Sequence, residues 1–349
     1  MSDNLRFSRW LMGVSAATIA LLAGLVQPAT AQQSVEEFYK GKRIDLIIGY
    51  SPGAGYDLYA RFVAQHLGAF IPGNPQILPR NMPGAGSRTA ANWIYTVAPK
   101  DGTALATADQ SLSIAQAMGD PSLTIDTSKL LYIGNPNADN NTTVTWNTSS
   151  VKTIEDAMKT EIPMGATGGS TSSQYPKAMN ALIGTKFHVV LGYPGGNDIN
   201  LAMERGEVAG RGSNAWASWK STKPDWLRDK KINILVQIGL TKAPDLPNVP
   251  LMMDLAKNNE DRQVLKLLSA PTTIGRPIFT SPGVPAERVK ALRDAFNAMI
   301  KDPAVLADAQ KRNIDINPVP GEELQKIVEE IVATPKPIAD RLQQIIGTE

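Results

Sequence analysis

A chain of 349 residues, 42% hydrophobic and 19% charged, is long enough for about two domains and a sizeable core. The absence of cysteine excludes disulfides, thiol nucleophiles, thiolate zinc sites and iron–sulfur clusters, and two histidines, His66 and His188, leave little scope for histidine-based metal or triad chemistry. With 35 Lys and Arg against 33 Asp and Glu, the net charge of +2 provides no basic footprint for nucleic acid.

Residues 1–31 read as a secretory signal. Arg6 and Arg9 precede the apolar run Leu11–Val26, and the small-x-small site Ala29-Thr30-Ala31 follows. That run is shorter than the roughly 20 residues a spanning helix needs. No second run of spanning length follows, so the expectation is a soluble protein exported to a bacterial periplasm.

Beyond the signal, short apolar runs alternate with helical periodicity, the pattern of an α/β sheet protein. Ile44–Tyr50 predicts a buried strand, and Asp57 after a Gly-rich turn predicts the N-cap of a helix over Leu58–Phe70. Ile77–Met82 (strand), Thr89–Val97 (helix) and Ala104–Ala108 (strand) follow. In the middle, Leu131–Gly134, Val144–Trp146, Ile162–Ala166, Phe187–Gly192 and Ile232–Ile238 read as strands, with helices at Ile154–Lys159 and Ile199–Arg205. Helices are expected at Met252–Asn258, Arg262–Ser269, Glu287–Lys301 and Glu322–Val332. No low-complexity linker divides the chain. Two chain crossings near Gly134 and Ile238 predict a first lobe of residues 32–134 and 239–349 and a second lobe of residues 135–238.

The informative feature is a recurrence of glycine-rich junctions between strands and helices. Pro52-Gly53-Ala54-Gly55-Tyr56-Asp57 and Pro83-Gly84-Ala85-Gly86-Ser87 repeat one motif, and Thr167-Gly168-Gly169-Ser170-Thr171-Ser172 and Tyr193-Pro194-Gly195-Gly196-Asn197 echo it. Such junctions lie at the carboxyl edge of a sheet, where α/β folds bind ligands. Glycine admits close backbone approach, and free N–H groups at a helix start attract anions. Two pairs of junctions predict a cleft that grips an anion at both ends.

Competing motifs are absent. No Lys completes a nucleotide P-loop, Gly53-Ala54-Gly55 lacks the third dinucleotide glycine, and no G-x-S-x-G elbow occurs. Ser170 and Ser172 have no neighbouring Lys or His to serve as base, so they read as ligand-binding or structural hydroxyls. His66 reads as a surface residue and His188 as a packed one, with no metal spacing between them. Trp216 and Trp219 read as aromatic packing beneath a loop.

The stretch Ile44–Leu105 resembles the start of the Bug family, the substrate-binding proteins of tripartite tricarboxylate transporters. The resemblance rests on Pro52–Asp57, Ala60-Arg61, Asn81–Gly86 and Pro99–Leu105, with Tyr193–Gly196 and Leu246–Pro250 further on. It implies an α/β, two-lobed, type II-like periplasmic binding protein, with the ligand cleft between two α/β lobes that close like a flytrap. The implied ligand is a small organic acid, delivered to integral-membrane transporter subunits by a non-catalytic monomer without cofactor or metal. One carboxylate would be held by Gly53, Ala54, Gly55, Tyr56 and Asp57, supported by Ala85, Gly86 and Ser87, through backbone groups and water rather than an arginine clamp. Thr167, Gly168, Ser170, Thr171, Ser172 and Gln174, with Tyr193, Gly195, Gly196 and Asn197, would recognise the distal end.

Three departures bear on specificity. Tyr56 stands where many relatives have Thr, Gln174 where they have His, and Pro194 where they have Lys. These disfavour a short dicarboxylate and favour a larger or less charged acid stacking on Tyr56 or Tyr193. Two other functions remain open on sequence: a periplasmic serine hydrolase or amidase using Ser170 or Ser172, and a sensor partner presenting a bound acid to a receptor.

Overall fold

The computed structural model describes residues 33–347, and the signal segment expected at 1–31 lies outside the described residues. In chain order the strands are β1 (Arg43–Ile48), β2 (Gln76–Asn81), β3 (Ala104–Thr107), β4 (Leu131–Asn135), β5 (Asn141–Trp146), β6 (Ile162–Gly165), β7 (Phe187–Val190), β8 (Gly210–Ala215), β9 (Ile232–Ile238), β10 (Ile278–Thr280) and β11 (Val319–Pro320). They form a six-stranded sheet of order β11-β4-β10-β3-β1-β2 and a five-stranded sheet of order β7-β6-β8-β5-β9. β2 and β3 flank β1 in parallel, while β10 pairs antiparallel with β3 and β4. In the second sheet β6 is parallel to β7 and β8, and β5 is antiparallel to β8 and β9.

The first sheet is covered on both faces, which explains the unbroken apolar run of β1. Ile44, Leu46 and Ile48 point into a cluster with Phe62, Leu67 and Phe296, and Ile47 points into the opposite cluster with Ala90 and Ile94. The Gly55–Leu67 helix buries Tyr59, Phe62, Val63 and Leu67, and it starts three residues before the expected Leu58, so Ala54 is its N-cap and Asp57 lies in its first turn. The chain passes from β4 to β5 through the polar stretch 136–140 and returns after β9. Residues from Val35 onward, both sheets included, form one compact unit. The C-terminal third does not keep to one sheet. Leu251, Met252, Val264 and Leu265 share a cluster with Val236 of β9 and with Tyr175 and Met179 of the Thr171–Leu182 helix.

Several elements differ from expectation. β1 ends two residues early because Ser87 packs against Gly49, where a Cβ would stand 2.5 Å from that of Ser87. Met252–Leu255 is a 3-10 turn, and a new helix, Asn259–Ser269, starts after Asn258, whose side chain accepts the Asp261 N–H. β8, with the sequence Gly-Arg-Gly-Ser-Asn-Ala, has no apolar signature, yet it lies mid-sheet between β6 and β5. Its glycines are steric: a Cβ on Gly212 would meet the Ser172 carbonyl and come within 2.7 Å of Pro176, because the Thr171–Leu182 helix lies directly on the strand. The Lys336–Ile346 helix lies beyond the last of the expected elements. His188 is exposed rather than packed. His66 is only partly exposed, its Nε2 2.9 Å from Asp308 and its ring against Phe62.

Candidate functional site

A cavity of about 50 Å³ lies where the carboxyl ends of β1, β3 and β6 face the strand β8. That is above the roughly 10–15 Å³ a polar cavity needs to admit water. The expected residues Ala54, Gly55, Tyr56, Thr167, Ser170, Thr171, Ser172 and Gly196 line it. Three helix starts open on it: Gly55–Leu67 after Ala54, Thr171–Leu182 after Ser170, and Gly196–Glu204 after Gly195. Ala54 and Gly195 carry no side-chain cap, so the first N–H groups of those two helices have no side-chain partner at the N-cap. Ser170 does cap its own helix, accepting the Ser172 N–H at 3.2 Å, and its hydroxyl lies 2.8 Å from that of Ser172. Both hydroxyls also reach the Thr167 carbonyl.

The remaining expected residues fall elsewhere. Gly53, Asp57, Ala85, Gly86, Ser87, Gly168, Gln174, Tyr193, Gly195 and Asn197 are not among the lining residues. The Asp57 carboxylate staples its own loop, accepting from the Gly53 N–H at 3.0 Å, from Arg61 Nε at 2.9 Å and from Asn81 Nδ2 at 2.9 Å. Burial raises its pKa, but these donors outweigh burial and hold it below the ordinary value. Tyr193 packs on the cluster of Ile199, Val208 and Trp219 beneath the second sheet.

The glycine junctions instead meet one another across the cleft. A Cβ on Gly86 would stand 2.6 Å from the Gly168 carbonyl oxygen, and one on Gly53 would be 3.3 Å from Asn197. One on Gly55 would collide with the Ser218 hydroxyl, and one on Gly195 with that of Ser51. Ala85 (φ 44) and Ser87 (φ 72) flank Gly86 in left-handed conformation, a strained turn of the kind found at functional sites. Polar links span the same seam. Arg88, ion-paired to Asp120, donates to the Gly169 carbonyl at 2.5 Å, and Ser51 donates to Asp198 at 2.5 Å.

Sequence reasoning missed the charged part of the lining: Asp109, Asp139, Arg211 and Arg276. Asp109 is fully engaged, accepting from the Tyr50 hydroxyl at 2.5 Å and from Ser111 N–H at 2.9 Å and Oγ at 2.6 Å. Burial, reinforced by Asp109, pushes the Tyr50 phenol well above its usual range and keeps it a donor. Arg276 donates to Asn137 at 2.7 Å and Ser218 at 2.5 Å and stacks 4.2 Å from the Tyr59 ring centre. Asp139 accepts the Ala217 N–H at 2.5 Å, and burial still raises its carboxyl above the ordinary value. Arg211 is 8% exposed and reaches only neutral acceptors, the Gly196 carbonyl at 3.4 Å and Asn200 Oδ1 at 3.2 Å. Its Nε has no hydrogen-bond partner among the described residues, and burial lowers its pKa to about 10, with Tyr50 acting in the opposite direction. The signal for these arginines was local: Arg211 sits between two glycines, and Arg276 follows one.

The fold is that of the bacterial periplasmic binding proteins. No protein-family model matches the sequence, and no curated protein matches it. Among solved structures, the periplasmic binding protein BugD is similar at TM-score 0.71 and 17% identity, over 89% of this chain and 99% of that one. MatC from Rhodopseudomonas palustris, solved with bound malate, is similar at TM-score 0.67 and 17% identity, over 87% and 99% of the two chains. A second R. palustris protein, solved with adipate, has TM-score 0.67 and 17% identity over 88% and 97%.

Proposed function

We propose that the chain is a Bug-type extracytoplasmic solute-binding protein that captures a small organic acid in the periplasm and hands it to the membrane subunits of a tripartite tricarboxylate-type transporter. The observation that carries this reading is Arg211, buried in the cavity wall with no carboxylate partner among the described residues. A buried guanidinium whose pKa is depressed by desolvation is stabilised by an incoming anion. The fold shared with BugD and with the malate- and adipate-bound proteins supports the same reading.

In this account the lobes are residues 32–134 and 135–238, with 239–349 added to the first lobe except where Met252–Ser269 packs on the second. The strained turn at Ala85–Ser87 and the Gly195 junction serve closure, while Ala54, Gly55, Ser170 to Ser172 and Gly196 face the ligand. Gly53, Asp57, Gly168, Gln174, Tyr193 and Asn197 support these loops from outside the cavity. The protein acts as a monomer, without cofactor.

Thermal unfolding of the purified protein in the presence of a carboxylate panel tests the reading, since a ligand that binds the native state raises stability. At least one acid should raise the midpoint. A response to sugars or cations with none to acids would overturn it.

A further inference from the structure

We propose that Arg276 is a second anchor for the ligand, so that the acid is gripped at both ends: one oxygen acceptor meets Arg276 at the start of the Gly55–Leu67 helix, the other Arg211 at the start of the Gly196–Glu204 helix. The inference rests on the carboxylate reading above and names the residues that choose between acids with one and with two acceptor ends. Both guanidiniums line the cavity and both are buried, Arg276 at 3% exposure and Arg211 at 8%. Each is packed against the first residue of one of the two uncapped helices. A Cβ on Gly196 would collide with the Arg211 guanidinium, and one on Gly55 would stand 3.6 Å from Arg276 Nη2. A helix start carries partial positive charge of its own, so a cation beside it is an arrangement that an anion at the same place relieves. The carboxylates of the two first turns do not serve. Asp57 is held by Gly53, Arg61 and Asn81, Asp198 takes the Ser51 hydroxyl, and neither lines the cavity.

The two arginines also share a bonding pattern. Arg276 donates to Asn137 at 2.7 Å and Ser218 at 2.5 Å, Arg211 to the Gly196 carbonyl at 3.4 Å and Asn200 at 3.2 Å, and every one of these acceptors is neutral. The other donors of both forks, Arg211 Nε among them, have no hydrogen-bond partner among the described residues. Asp109 and Asp139 stand in the same wall and balance the arginines in net charge, but they bond elsewhere, Asp109 to Tyr50 and Ser111 and Asp139 to the Ala217 N–H. What the wall lacks is therefore an acceptor in contact with each guanidinium, and bonds to a carboxylate are roughly twice as strong as the neutral ones now made. The anchors come from opposite sheets. Arg211 belongs to β8, whereas Arg276 precedes β10 and donates its own N–H to Asn135 at the end of β4. This differs from the backbone-and-water grip that the family resemblance implies. The substitutions that disfavour a short diacid on sequence do not bear on these contacts. Gln174 and Pro194 are outside the lining, and the Tyr56 hydroxyl is taken up by the Gly275 carbonyl and the Gln110 N–H, both at 3.0 Å.

The test is calorimetric titration of the whole protein with two homologous series, malonate to adipate and propionate to hexanoate, compared at equal chain length. The best diacid should bind about tenfold or more tighter than its monoacid counterpart. Arg276→Gln and Arg211→Gln should each bring that ratio to within a few-fold of unity, because the second acceptor then meets no cation. A residue that only braces the two sheets would weaken diacid and monoacid alike, so a ratio unchanged by Arg276→Gln overturns the inference. Monoacids that bind the parent protein as tightly as diacids overturn it too, and either result leaves the carboxylate reading in place. If Arg276→Gln fails to fold, Arg276→Lys decides: it keeps the charge but loses the fork and should lower the ratio about threefold or more, and a ratio equal to the parent's overturns the inference. Binding of no acid in either series overturns both readings.

Discussion

Gly86→Ala separates closure from folding. Gly86 has φ +58, and a Cβ there would stand 2.6 Å from the Gly168 carbonyl oxygen and 2.7 Å from the carbonyl carbon and oxygen of Gly169. Ordinary contact begins at 3.4 Å and every obstructing atom is backbone, so the seam must part by most of an ångström. Left-handed backbone costs a non-glycine residue about 1–2 kcal/mol whether the lobes are open or closed, and should lower the unfolding midpoint by a few degrees. In the closure proposed above, the clash arises only when the lobes meet. Opening the seam sacrifices the 2.5 Å bond from Arg88 to Gly169, and a charge-assisted bond is worth about 1.5–3 kcal/mol. Ligand affinity should therefore fall roughly 10- to 150-fold. Gly119→Ala is the matched control, with φ +70 and nothing within 4 Å of the added methyl. Calorimetric titration with the acid giving the largest thermal shift, alongside scanning calorimetry of the unliganded proteins, measures both terms. Equal affinities for the two variants would refute the closure role of Gly86.

Three further outcomes are expected. Trp219, fully buried and bonded through Nε1 to Thr142 at 3.0 Å, should lose about 3–5 kcal/mol of stability as Trp219→Ala, measured by chemical denaturation. Asp57→Asn should destabilise by about 1–3 kcal/mol at pH 7 through the loss of charge-assisted bonds from Arg61, Asn81 and Gly53. Because the folded carboxyl is held below its unfolded value of about 3.9, that contribution is complete above about pH 5 and disappears as pH falls through the folded pKa. The difference between Asp57→Asn and the parent should narrow in acid melts as pH falls below about 4, and a gap that is the same at pH 2 as at pH 5 would contradict the assignment. Ser170→Ala should lower stability by about 1 kcal/mol through loss of the cap on the Thr171–Leu182 helix, read as a shift in denaturation midpoint.

The sequence was most legible where burial imposes a period. The apolar run of β1 and the stripe of Tyr59, Phe62 and Leu67 appear where they do because a two-sided sheet and an amphipathic helix leave direct hydrophobic signatures. β8 left none: its residues are small or polar because a helix presses on one face and the cavity runs along it from Arg211 to Ala215. The glycine junctions were readable as sites of close backbone approach, but not what approaches them. Gly55 and Gly196 border the cavity, whereas Gly86 and Gly195 meet loops of the other sheet, and that difference depends on how the two sheets face each other.

By itself, the sequence determined the class of element at most positions, the lack of thiol chemistry and the recurrence of turns able to hold an anion. These are local properties of composition and spacing. Only the tertiary structure decided which charges share the cavity and which are already engaged. Arg211 and Arg276 are 65 positions apart, and Asp109 and Asp139 come from different strand connections. The tally of charges in the cavity is a sum over long-range contacts. The near-neutral composition of the whole chain conceals it: an overall charge of +2 says nothing of one buried arginine that has no carboxylate partner among the described residues.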